Sequence, residues 1–162
     1  MKLKELLWDI TLVCLFVLIL SNHLAVSQTQ EQNQIERMSE MASSLKEKVR
    51  VKEKELEYVR DASGGYEVLL EWESEKKRVE LSILNKSTVE EATRFFESFG
   101  PIINQGHIEK INGIGDEAYA AYFRGSFSGY RFRKGKYIIS IRVRSEEMAK
   151  RFVNYALEEI AN

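Results

Sequence analysis

Cysteine is almost missing from this chain: Cys14 is the single copy in 162 residues, and it lies inside an apolar run. The remainder of the chain therefore has no route to a disulfide, a thiolate metal site or a thiol nucleophile. Histidine is nearly as scarce. Beyond residue 27 only His107 remains, with no second histidine or cysteine for zinc and no convincing serine partner for a triad. Proline occurs once, at Pro101, which excludes polyproline and collagen-like architectures. A charge excess is also lacking. Lys and Arg number 24 against 25 Asp and Glu, so the basic surplus typical of nucleic-acid binding is absent and no nucleic-acid partner is expected. No phosphate loop, zinc spacing or calcium loop is present, and no metal or cofactor is expected. What is present, 44% hydrophobic and 30% charged residues, is the composition of a folded domain of single-domain length.

The first 27 residues have the layout of a secretory signal. Lys2 and Lys4 give a positive start, and Ile10–Leu20 is apolar apart from Thr11. Ala25-Val26-Ser27 places small residues three and one positions before a cut that makes Gln28 the new N-terminus. The run is short for a bilayer span. Leu6, Leu7 and Trp8 would lengthen it if it were retained as an anchor, but Asp9 interrupts that extension. Cys14 follows Val13 in mid-run rather than ending the run after a small residue, which argues against lipid attachment. The expectation is a periplasmic or extracellular protein cleaved after Ser27, meeting a membrane only if that segment is kept.

Three regions follow from the pattern: residues 1–27 as signal, 28–61 as a polar start and amphipathic helical segment, and 62–162 as an α+β domain. Ile35, Met38, Ala42, Leu45, Val49, Leu56 and Val59 recur at heptad-like steps, broken at Lys52. They read either as a dimerising stalk or as a helix lying on its own domain and ending before Val49-Arg50-Val51. The corresponding states are a weak dimer or a monomer. After the break at Ala62–Gly65, Tyr66–Trp72 and Val79–Ile83 alternate as half-buried strands around a charged turn. Ser87-Thr88-Val89-Glu90 reads as a capping box opening a helix with Val89, Ala92, Phe96 and Phe99 on one face, stopped by Gly100-Pro101. Glu117–Arg124, Phe127–Arg133 and Tyr137–Arg144 read as consecutive hairpins about Gly125-Ser126 and Lys134-Gly135. Ser145 caps a last helix with the stripe Ala149, Phe152, Val153, Ala156, Leu157 and Ile160. The predicted fold is α+β, an antiparallel sheet with helices packed on one face.

Pairing those hairpins sorts side chains into two faces. Tyr119, Ala121, Phe123, Tyr130, Phe132, Tyr137, Ile139, Ile141 and Val143 are expected toward the helices. Tyr122, Arg124, Phe127, Arg131, Arg133, Ile138, Arg142 and Arg144 are expected on the other face. A basic face with aromatics between suits an acidic small molecule, held by charge-assisted hydrogen bonds and stacking. The competing reading is a solvated face in which Glu67, Glu71 and Glu80 of the first hairpin pair with the arginines.

Ile111-Asn112-Gly113-Ile114-Gly115-Asp116-Glu117-Ala118-Tyr119 is the most distinctive stretch. Gly113 and Gly115 permit positive φ, and Asp116 can hold nearby amides, so the three read as a structural turn. With the later Arg133-Lys134-Gly135 hairpin and C-terminal helix, the region 66–162 resembles uncharacterised bacterial exported proteins and lipoproteins, some of them extracellular parts of sensors. That resemblance implies an exported binding or sensing module and brings no catalytic residue. The leading reading is thus a non-enzymatic module for a small ligand or protein partner. Its alternatives are an envelope-attached protein dimerising through residues 35–59, and a hydrolase-like enzyme using Asp116, Glu117 and His107. Asn85-Lys86-Ser87 also matches a glycosylation acceptor.

Overall fold

Helical periodicity at the start and strand alternation thereafter are realised in the computed structural model, which describes residues 29, 31–48, 56–61, 65–98 and 106–161. The expected signal segment, 1–27, lies outside the described residues. So do the expected breaks at 62–64 and at Gly100-Pro101.

Helix α1 spans 31–48. Seven strands follow: β1 (Leu56–Asp61), β2 (Gly65–Ser74), β3 (Lys77–Lys86), β4 (Gly106–Ile111), β5 (Glu117–Phe123), β6 (Ser126–Lys134) and β7 (Tyr137–Arg142). Helix α2 (Val89–Ser98) connects β3 toward β4, and α3 (Glu146–Ala161) follows β7. The strands form one antiparallel sheet in the order β1-β2-β3-β7-β6-β5-β4. The class is α+β, as the pattern implied. Strands β1 and β4 extend it beyond the hairpins read from sequence, and the order brings the first hairpin beside the last through β3 and β7.

One face of the sheet carries the main core. Val68, Leu70 and Trp72 of β2, Val79, Leu81 and Ile83 of β3, and Ile139 and Ile141 of β7 are buried there. Met148, Ala149, Phe152, Val153 and Ala156 of α3 cover that face, with Phe152 edge-on to Trp72 at 5.2 Å. Met38, Met41, Ala42 and Leu45 of α1 complete the same cluster, at the i, i+3, i+4, i+7 spacing of one helical face. Lys48 bridges to Glu158 and Glu159 of α3, and Ser44 Oγ donates to Glu159 at 2.8 Å.

Met38, Met41, Ala42 and Leu45 of α1 are thus buried within the domain core, and Leu56–Asp61 is a strand paired with β2. Arg37–Asn162 form one compact unit.

Helix α2 departs from the one-face arrangement. Leu84, Ile138 and Tyr119 project from the opposite sheet face, and Ala92, Phe95 and Phe96 pack on them, with Phe96 stacked on Tyr119 at 5.3 Å. The reason is local: the second face has its own apolar patch, and α2 leaves β3 after only Ser87 and Thr88. The cap is Thr88, whose Oγ1 accepts the Glu91 amide at 3.1 Å, one position later than the expected Ser87 box. Val89 is exposed rather than part of the buried stripe. Ser145 Oγ does accept the Met148 amide, at 3.4 Å, at the start of α3.

Candidate binding site

The hairpin β5–β6 decides which side chains can form a site. Its turn is Arg124-Gly125, with φ of 51° and 77°, rather than Gly125-Ser126. Two successive left-handed residues form the turn type that matches strand twist. Phe123 therefore pairs with Ser126 and Tyr122 with Phe127, after which a bulge sets Ala121 opposite Gly129 and Ala120 opposite Tyr130. A Cβ on Gly129 would come within 2.0 Å of the Ile141 carbonyl oxygen, so only glycine fits that approach. Relative to the expected pairing, β5 slips by one residue against β6, and a one-residue slip exchanges the two faces. Ala118 and Ala120 enter the main core. Tyr119 joins the α2 side, and Phe123 is 40% exposed at the tip.

The slip breaks up the expected basic and aromatic face. Tyr122 and Phe127 pack against the main core on the helix-covered side, away from the arginines. Arg133 is 8% exposed and committed. Its Nε and Nη2 donate to Glu117 Oε1 at 3.1 and 2.9 Å, and its Nη1 donates to Asp116 Oδ2 and the Gly135 carbonyl at 3.1 and 3.0 Å. Arg131 is half-buried on the same face; burial lowers its basicity, Arg142 adds to that, and Glu67 opposes it. Arg142 is neutralised by Glu80 at 2.8 Å, its cross-strand neighbour. Glu71 pairs with Arg78, and Glu67 accepts from Ser82. Arg124 lies over the Phe123 ring, 5.2 Å from its centre, and Arg144 is exposed. Arg133 and Arg142 thus have acidic partners within the domain.

Gly113, Gly115 and Asp116 behave as one turn with the Arg133-Lys134-Gly135 hairpin. Gly113 and Gly115 take φ of 87° and 58°. A Cβ on Gly115 would lie 2.3 Å from the Arg133 carbonyl oxygen. Asp116 donates its amide to that carbonyl at 2.8 Å. Its Oδ2 accepts the Gly135 amide at 2.7 Å, and Lys134 Nζ reaches Oδ1 at 3.2 Å. Burial works against the charge on Asp116, but the Gly135 hydrogen bond and the Lys134 and Arg133 charges outweigh it and hold the carboxyl below its ordinary range.

His107 is on β4 opposite Tyr122, whereas Asp116 lies six residues before Tyr122, just ahead of β5, about 20 Å away at strand rise. Asp116, Glu117 and His107 are therefore not brought together. Instead, His107 stacks flat on Tyr122 at 4.7 Å, with an interplanar angle of 6°. Tyr122 meets Phe127 edge-on at 6.0 Å, and Phe127 meets Tyr130 at 5.0 Å. Tyr130 Oη donates to Glu146 Oε1 at 3.0 Å, and Lys150 Nζ reaches the same oxygen at 2.8 Å. Burial and then the Glu146 hydrogen bond push the Tyr130 hydroxyl up to about 12. Tyr122 is raised as well, by burial first, then by the charges of Glu109 and Glu146 and a hydrogen bond with Glu109.

This ladder runs into a cleft of about 440 Å³ between the Ile111–Ile114 turn and helix α3. Ile111, Ile114, Val153 and Leu157 give it apolar walls. Asn112, Asn154, Tyr130, Glu146 and Lys150 supply polar groups. A cleft of this volume and mixed lining is within the range of small-molecule sites.

No protein-family model, no curated protein and no solved structure matches the chain.

Among the described residues no three His, Cys, Asp or Glu side chains converge as metal ligands. No described helix is long and apolar enough to cross a membrane. Asn85, first residue of the acceptor tripeptide, is 2% exposed in β3 and cannot present a glycan. The ladder and the cleft were missed in the sequence because β4 was not recognised as a strand. Its sequence, His107-Ile108-Glu109-Lys110-Ile111, has two adjacent charges and no period of two, so the strand signal is weak.

Proposed function

We propose that the protein is an exported, non-enzymatic binding or sensing module, and that the cleft between the Ile111–Ile114 turn and α3 receives its ligand. The observation that carries this reading is the cleft itself, with apolar walls and the Tyr130–Glu146–Lys150 network at its polar end. A few fixed polar groups in an apolar cleft orient a ligand. The separation of His107 from Asp116 and Glu117, and their engagement by Tyr122 and Arg133, favour binding over hydrolysis. The internal use of the α1 stripe favours a module over a stalk. Export rests on the signal pattern of residues 1–27.

A fragment screen followed by amide chemical shifts tests the site. Bound fragments should perturb Ile111–Ile114 and Asn154–Leu157. Asn154 is an exposed helix position lining the cleft, so Asn154→Trp should fill it without disturbing the core. That variant should keep its melting temperature and lose the perturbations. Fragment binding that survives Asn154→Trp, or that maps only to other surfaces, would remove the cleft as the site.

A further inference from the structure

The cleft between the Ile111–Ile114 turn and α3 selects by what its lining withholds. Its charges are one acid and one base, Glu146 and Lys150, joined at 2.8 Å, so the lining is electrically balanced. The same Glu146 oxygen accepts the Tyr130 hydroxyl at 3.0 Å, which spends the one proton that Tyr130 can donate. Tyr130 is 5% exposed, so its ring offers no open face to a cation or a flat ring. The unspent polar groups are two carboxamides. Asn112 and Asn154 line the cleft from exposed positions, and their side chains have no hydrogen-bond partner among the described residues. Beside Asn112 the wall is bare backbone: Gly113 is exposed, and a Cβ there would meet nothing within 4 Å.

Resting on the cleft as the binding site, we infer that its ligand is the interior of a polypeptide, an uncharged segment bearing a branched aliphatic side chain. That side chain lies among Ile111, Ile114, Val153 and Leu157, whose aliphatic walls give burial without stacking. A carboxamide both donates and accepts, which complements a peptide unit with its one N–H and one C=O. Asn112 on the turn and Asn154 on α3 hold peptide units from the two walls, and the uncovered backbone at Gly113 lets the segment approach closely. A chain terminus or a free amino acid fits poorly. Its ammonium or carboxylate would give up hydration in a cleft whose own charges are already paired.

The test titrates a charge series into isotope-labelled protein at about pH 6, where α-amino and α-carboxyl groups are ionised. N-acetyl-leucinamide is neutral, N-acetyl-leucine anionic and leucinamide cationic, while N-acetyl-glycinamide is neutral and lacks the side chain. N-acetyl-leucinamide should shift the amides of Ile111–Ile114 and Asn154–Leu157 saturably. N-acetyl-glycinamide should bind about tenfold more weakly for want of the buried side chain, and both charged leucine derivatives severalfold more weakly. Asn112→Ala should weaken N-acetyl-leucinamide severalfold with the melting temperature unchanged, since the side chain has no partner to lose. A charged derivative that binds as tightly as the neutral one, equal affinity for the leucine and glycine amides, or unchanged binding by Asn112→Ala would overturn the peptide and leave the cleft as a site. Fragments that occupy the cleft while N-acetyl-leucinamide does not would have the same meaning. Silence of the cleft toward every fragment and derivative would remove both readings.

Discussion

Replacing Asp116 by alanine removes three partners from one carboxylate. Oδ2 loses the Gly135 amide at 2.7 Å and Arg133 Nη1 at 3.1 Å, and Oδ1 loses Lys134 Nζ at 3.2 Å. The Lys134 pair is half in solvent, 51% on the lysine side, so it contributes little. Arg133 keeps Glu117 and the Gly135 carbonyl, and water can reach the Gly135 amide at the turn. Hydrogen bonds to charged groups are each worth about 1.5–3 kcal/mol, and with this partial compensation the total loss is about 2 kcal/mol. For a domain of this size that is a fall of about 6–8 °C in melting temperature. Asp116→Asn keeps an acceptor for Gly135 and should lose about half as much.

The carboxyl of Asp116 is held below its ordinary value of 3.8, so its stabilisation is complete above that pH and is lost as pH falls through the folded-state value. The gap between parent and Asp116→Ala should therefore be full at neutral pH and should shrink in acid below pH 3.8. Urea unfolding followed by tryptophan fluorescence at both pH values measures it. A parent and variant within about 0.5 kcal/mol at neutral pH, or a gap that widens toward acid, would refute the reasoning.

Four further outcomes are expected. Gly115→Ala should destabilise more than Gly113→Ala, since both need positive φ but only Gly115 has a carbonyl within 2.3 Å of a Cβ; equal melting temperatures would contradict this. Leu45→Ala should cost about 3 kcal/mol, because a buried leucine in α1 belongs to the domain core, and the parent should sediment as a monomer. Arg133→Ala should cost about 3 kcal/mol by stranding Asp116 and Glu117, whereas Arg142→Ala, 73% exposed, should change stability by less than about 1 kcal/mol; matched values would overturn the assignment. N-terminal sequencing of the exported protein should begin at Gln28, and recovery of the uncut chain in membranes would count against cleavage.

Much of the architecture was readable because it is written locally. Alternation in Tyr66–Trp72 and Val79–Ile83, the glycines near 125 and 135, and the stripe of Ala149, Phe152, Val153 and Ala156 each report on a few neighbouring residues. So does the pairing of the Gly115-Asp116 turn with special φ values, and the choice between a stalk and a packed helix was at least posed by the heptad-like spacing. Tertiary structure alone decided the rest. The bulge at Ala121–Tyr122 arises from closure of the hairpin at Arg124-Gly125 and from the approach of Gly129 to Ile141 on a third strand, which no two-strand pattern contains. Strand order set β3 beside β7, and so gave Arg142 its partner Glu80, and it carried Arg133 onto a turn seventeen residues earlier at Asp116. Side-chain direction in a sheet has a period of two, so a single slipped residue was enough to move Tyr122 and Phe127 from the arginine face to the main core.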